Sequence, residues 1–142
     1  CKYLYAKGYL YKIIDEDIIF NANGLNYYIE IIPFKKYYTI QLNCNIKGED
    51  DLMQQIFCAN KTNQCYRYVR VCAYDKTIIF DTILEMVRPS DFKLKFPSRL
   101  KLLQDAIDHY IGICQEVSQA MKEKENENST EPQQEIRTVG EA

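Results

Sequence analysis

The 142-residue chain contains no tryptophan, only five glycines and four prolines, and a single histidine. Each scarcity closes off a class of chemistry. Loops that cradle phosphate draw on clustered glycines, and neither G-x-x-x-x-G-K-[ST] nor G-x-G-x-x-G occurs. The zinc-protease helix H-E-x-x-H and the nucleophile elbow G-x-S-x-G are also missing. Long apolar runs are absent too. The best candidate, Tyr27 to Phe34, is broken by Glu30 and Pro33 and falls far short of the ~20 residues a spanning helix needs. No membrane partner is expected.

What is present is ordinary for a soluble fold: 46% hydrophobic and 27% charged residues. The length suits one domain with a core large enough to need no metal or staple. The net charge of −2 is unevenly distributed. Residues 123–142 carry six acids against Lys124 and Arg137, leaving the rest of the chain near +2. So weak a positive balance gives little counterion-release drive for nucleic acid. Thirteen lysines against five arginines, with abundant Ile, Asn and Tyr, fit an AT-rich coding bias. The twelve tyrosines therefore do not each require a role. Cys1, where a Met would be expected, is read as a chain recorded without its upstream residues. The competing reading is an acylated lipoprotein cysteine, but Lys2 to Leu10 runs into structure without a tether.

Six cysteines (Cys1, Cys44, Cys58, Cys65, Cys72, Cys114) form no C-x-x-C pair, and His109 is remote from most of them. Structural zinc sites show close ligand pairs, so no metal and no cofactor is expected. An even count permits disulfides, yet a chain of this size does not depend on them. Most of these cysteines fall at apolar positions of expected strands or helices, where a free thiol acts as a small hydrophobe. Buried, reduced thiols and a cytoplasmic location are the expectation. A Cys–His nucleophilic pair needs hydrogen-bond reach. Cys114 lies five residues beyond His109, roughly 140° around a helix of 3.6 residues per turn, so the two diverge. His109 is expected on a solvent-facing side.

Along the chain, Lys2 to Lys7 reads as helix, ended at Gly8 in the left-handed conformation. Tyr9 to Ile14 is β-rich, Asp15-Glu16 turns, and Asp17 to Ala22 resumes. Asn23-Gly24 is the strongest local signal, since a type I′ turn demands positive φ at both central residues. The flanks alternate as a hairpin should: Ile18, Phe20 and Ala22 before it, Leu25, Tyr27, Ile29 and Ile31 after it. Pro33 and Lys35-Lys36 break the chain again, and Tyr38, Ile40, Leu42 and Cys44 mark one face of a fourth strand. Gly48, Glu49, Asp50 and Asp51 then open a helix with Leu52, Ile56 and Ala59 inward and Met53 and Phe57 beside them. That helix is expected to end in Asn60 to Gln64.

Two further strands, Cys65 to Tyr74 and Thr77 to Val87, meet at Asp75-Lys76. Arg88 to Pro97 reads as a connector and Ser98 as the N-cap of a last helix. Its stripe of Leu100, Leu103, Ile107, Tyr110, Cys114, Val117 and Met121 steps by three and four. Such a stripe packs on the chain's own sheet or, less commonly, seams a dimer. From Glu123 apolar content collapses, so 123–142 is expected to be an acidic tail without fixed structure.

Three groups invite a sharper reading. Asp15, Glu16 and Asp17 cluster carboxylates, but a strand turn is where solvated acids belong, and calcium loops need more ligands. Tyr66, Tyr68 and Arg70 interleave aromatic and basic side chains as single-strand-binding sheets do. Cross-strand packing accounts adequately for the tyrosines, and the βαββαβ order and Gly-containing aromatic motif of an RNA-recognition sheet are missing. A cysteine meeting His109 in space is the third.

The order α-ββββ-α-ββ-α resembles that of the YbjN family, whose fold is similar to type III secretion chaperones. The resemblance rests on Lys7-Gly8-Tyr9, on Ile14-Asp15-Glu16-Asp17-Ile18-Ile19-Phe20 leading to Gly24, on Ala59-Asn60 with Asn63, and on the strand pair and helix that follow. It covers roughly residues 1–122. It implies an α+β domain with an antiparallel meander and helices packed on the sheet, acting by binding a protein partner, with homodimerisation as a possible state. It defines no functional residue. The expected function is thus a non-enzymatic binding or regulatory module, with no catalytic, cofactor or metal residues. A small enzyme using an Asp or Cys–His site and a single-strand nucleic-acid binder are the alternatives.

Overall fold

The computed structural model describes residues 1–33, 38–48 and 51–130. Its elements are α1 (Lys2–Ala6), β1 (Tyr11–Ile14), β2 (Asp17–Ala22), β3 (Leu25–Pro33), β4 (Tyr38–Lys47), α2 (Leu52–Cys65), β5 (Arg70–Tyr74), β6 (Thr77–Met86) and α3 (Asp91–Asn128). The class and the element order are those expected from the sequence.

Turn chemistry sets the register. Asn23 and Gly24 sit at φ +51° and +79°, the left-handed pair a type I′ turn requires. Asp15 and Asp75, each first in a two-residue turn, also have positive φ. Asp tolerates this region better than most residues. At the end of α1, the amide of Gly8 donates to the carbonyl of Tyr5, and that of Tyr9 to Leu4. This is the Schellman pairing, with Gly8 at φ +79°.

All six strands join one antiparallel sheet in the order β1-β2-β3-β4-β6-β5. The α2 crossover carries the chain past the edge, so β5 becomes the outer strand and β6 folds back between β5 and β4. One register row runs Phe20, Tyr27, Cys44, Phe80, Val71, all buried. The neighbouring row, Ile19, Tyr28, Asn43, Asp81, Arg70, points to the opposite face. Among the described residues the helices cover the first face, α3 along β6 and α2 against both α3 and β5. Leu100, Leu103, Ile107, Tyr110 and Cys114 of the expected stripe are buried, whereas Met121 is exposed.

Several assignments differ from expectation, each for a physical reason. First, α3 begins at Asp91, and the expected connector Arg88 to Pro97 is largely helical. Phe92 and Phe96, one turn apart, stack at 4.7 Å and both meet Tyr3 of α1 edge-on. The Asp91 carboxylate accepts from the amides of Val87 and Arg88, closing the turn before the helix. Pro97 is held inside α3, and Ser98 is not its cap.

Second, α2 runs to Cys65 because Thr62 and Asn63 find partners within the fold. Third, β5 starts at Arg70, since Tyr66 caps α2 and the residues after it turn. Fourth, the buried side of α2 is Gln55, Cys58, Ala59 and Thr62. Of the expected stripe only Ala59 faces inward; Leu52, Met53, Ile56 and Phe57 lie on the outside. Small inner side chains let α2 approach α3 closely, and the Thr62 hydroxyl donates to the Cys58 carbonyl at 2.9 Å, which periodicity alone does not register.

Helix α3 also continues to Asn128, into the stretch assigned to the tail. Glu, Lys and Gln are good helix formers and extend a helix already nucleated. Residues 131–142 of that tail, Lys35-Lys36, Glu49 and Asp50 lie outside the described residues. Asp51 alone is seen as the N-cap of α2, its carboxylate accepting from the amides of Met53 and Gln54 at 2.9 and 3.2 Å.

Candidate protein-binding groove

The two ladders of β6 have unequal lengths. On one side β4 pairs with it as far as Tyr38 opposite Met86. On the other, β5 stops at Arg70 opposite Asp81. The Thr82 hydroxyl donates to the Tyr68 carbonyl at 2.7 Å, closing the first gap. From Ile83 to Met86 no second described strand pairs with β6.

The outer edge of β5 is treated differently. There the Asn63 amide group donates to the Val71 carbonyl at 2.9 Å and its oxygen accepts from the Val71 amide at 2.8 Å. One side chain thus stands in for a missing strand. Capping of this kind keeps edges from pairing with other chains. At the β6 edge, among the described residues, the Lys95 amine donates to the Glu85 carbonyl.

This edge borders a groove of about 910 Å³, walled on its far side by the first turns of α3. Ile83 and Leu94 line it and are 50% and 80% exposed. Tyr68 lines it too, with the Arg99 guanidinium 4.9 Å from its ring centre. Four cations, Arg67, Arg70, Lys95 and Arg99, share the lining with two acids, Asp81 and Glu85. Asp81, only 5% exposed, is held by Arg70 at 2.8 Å. Donating a hydrogen bond to that carboxylate pushes the Arg70 pKa up. With this pair neutralised, the free charge in the groove is predominantly positive.

No family model matches the chain, and neither a curated protein nor a solved structure matches it.

The residues singled out from sequence are dispersed. Asp15, Glu16 and Asp17 lie exposed at the β1–β2 turn, at the opposite edge of the sheet. His109 is half-buried with its ring centre 5.5 Å from that of Tyr66, in place of the solvent-facing position expected. Cys114 is buried away from it against α2. Tyr66 and Tyr68 do not share a strand: the first meets His109, the second meets Arg99. Cys44, Cys58 and Cys114 are buried as expected, while Cys1, Cys65 and Cys72 are exposed. Among the described residues no cluster of His, Cys, Asp or Glu could hold a metal ion. No described helix is long and apolar enough to cross a membrane.

Leu94 and Lys95 were hidden by the connector reading, and Arg99 fell in the expected last helix without a role. The signal for the first two was the Phe92–Phe96 spacing, outweighed by prolines on either side.

A second exposed surface follows from the rotation of α2. Met53 and Phe57, 73% and 48% exposed, stand beside Leu52 and Ile56. A shallow cleft joins Phe57 to Val117 and Met121 of α3.

Proposed function

We propose that this chain is a protein-binding module without catalytic chemistry, and that it takes an extended acidic segment of a partner protein along the open edge of β6. The observation that carries this reading is the five-residue shortfall of the β5 ladder beside exposed apolar and cationic side chains. An added strand would supply main-chain hydrogen bonds to Ile83–Met86 and set alternate side chains on Ile83 and Leu94. Arg67, Arg99 and Lys95 would favour carboxylates and raise the encounter rate. The YbjN-like sequence pattern points the same way, toward binding over chemistry. The outer face of α2 provides for self-association as a homodimer, in line with the size of its apolar exposure.

The test uses the full chain and a fluorescent peptide alternating Val and Glu. Binding is expected, with amide shifts confined to Ile83–Met86 and the first turns of α3. The Arg67→Glu/Arg99→Glu variant should weaken it at least about tenfold. Binding that ignores this variant, or that appears for single-stranded oligonucleotides and not for the peptide, would overturn the reading.

A further inference from the structure

Helices α2 and α3 run antiparallel, and two contacts fix their register. Near one end the Gln54 amide donates to the Ser118 hydroxyl at 2.9 Å. Near the other, the Tyr66 ring following α2 meets His109. One helical turn is close to four residues. Advancing four along α2 from Gln54 and four back along α3 from Ser118 brings Cys58 opposite Cys114. Both are buried, on the inner sides of their helices. The spacing of two closely packed helices suits the Cα separation a disulfide requires.

Access to the two is unequal. Cys58 is fully enclosed, whereas Cys114, 8% exposed, lines a groove of about 640 Å³ between the end of β4 and α3. A reagent the size of water reaches Cys114 first.

We propose that Cys58 and Cys114 form a peroxide-responsive dithiol that closes to a disulfide and staples α2 to α3. In the first step the Cys114 thiolate attacks a peroxide oxygen. The O–O bond breaks, an S–O bond forms, and the sulfur is oxidised to a sulfenic acid while one water leaves. The Cys58 sulfur then attacks the Cys114 sulfur, the S–O bond breaks, the S–S bond forms, and a second water leaves. The two thiols together lose two electrons and two protons, and one hydrogen peroxide becomes two waters. Burial, with Cys114 adding to it, pushes the Cys58 thiol pKa upward. Closure is therefore slow and answers to sustained oxidant.

The staple would hold the outward apolar face of α2 in place, coupling oxidation to that surface. It depends on the packing of α2 on α3 and not on the β6 groove, so its failure and that of the binding proposal are separable.

The exposed thiols are first removed in Cys1→Ser/Cys65→Ser/Cys72→Ser, positions where the fold makes no demand on the side chain. This protein is treated with hydrogen peroxide, alkylated under denaturing conditions and digested with trypsin. The expected product is peptide Gly48–Lys61 joined to peptide Leu102–Lys122, with the loss of two hydrogens, reversed by dithiothreitol. Tm should rise by several degrees on oxidation and fall back on reduction. Adding Cys114→Ala should abolish both the joined peptide and the shift, and circular dichroism of that variant reports whether it still folds. Cys58 and Cys114 recovered alkylated after full oxidation, or Cys114 recovered as sulfinic acid with Cys58 free, would sink the proposal. So would a link from either to Cys44.

Discussion

Asn63 does the work of a strand with one side chain. Both of its hydrogen bonds go to the Val71 backbone, at 2.9 and 2.8 Å, so the amide satisfies a donor and an acceptor that no other described strand reaches. Removing it as Asn63→Ala should cost about 1–3 kcal/mol, the range for stranding partly buried polar groups. Urea unfolding would measure this, and Asn63→Asp should lie between the two because only the donor is lost.

Tyr27 and Cys44 give the molecule a residue-scale alkaline limit. Burial raises the Tyr27 pKa to about 12 and the Cys44 pKa to about 11, from ordinary values of 10.0 and 9.0. Both groups are neutral when protonated, and the unfolded chain releases these protons more readily than the folded one. Their contribution is thus fully present below pH ~9 and is lost as pH rises toward 11–12. Stability followed by circular dichroism should fall across that window. Tyr27→Phe should flatten the part above pH ~10.

At the scale of elements, α3 carries the largest departure from regular helix chemistry. Pro97 sits within Asp91–Asn128, where its ring leaves the carbonyl four residues back without an amide partner. The helix tolerates this because Phe92 and Phe96 are anchored against Tyr3 and, for Phe96, also against Phe20. Pro97→Ala should therefore raise Tm, by an amount corresponding to as much as about 3 kcal/mol. A scanning calorimetry trace with unchanged or lower Tm would show that the aromatic packing itself is set by the proline.

The same helix marks where sequence reasoning worked and where it did not. The hairpin at Asn23-Gly24 was legible because positive φ has few chemical solutions, and those at Asp15-Glu16 and Asp75-Lys76 were legible as charged breaks between β-rich stretches. The α3 stripe from Leu100 to Cys114 was legible because one apolar face packs on one sheet. The α2 face was not, since its inner side is built from Gln55, Cys58, Ala59 and Thr62, and hydrophobicity favoured the outer residues. Nor was the groove. It comes from a mismatch between two ladders of β6, and strand lengths at that precision depend on where Tyr66 to Val69 turn.

For the whole molecule, the sheet has helices on one face, and α2 turns Leu52, Met53, Ile56 and Phe57 away from the core. Side chains that bury little in the monomer contribute little to its folding, so Met53→Lys/Phe57→Lys should shift monomer stability by no more than about 0.5 kcal/mol per site. An association face is far more sensitive, because a lysine carried into an apolar contact must either lose hydration or splay the interface. If this surface joins two copies, light scattering on the unmodified chain should give a dimer mass at micromolar concentration. The double variant should give a monomer mass with an unchanged urea midpoint extrapolated to infinite dilution. A monomer in both proteins would assign the face to a different partner, and a dimer in both would place self-association elsewhere, with the open edge of β6 the next surface to block. Arg67→Glu/Arg99→Glu measured in the same experiment distinguishes these outcomes, because it disturbs the groove and leaves α2 untouched.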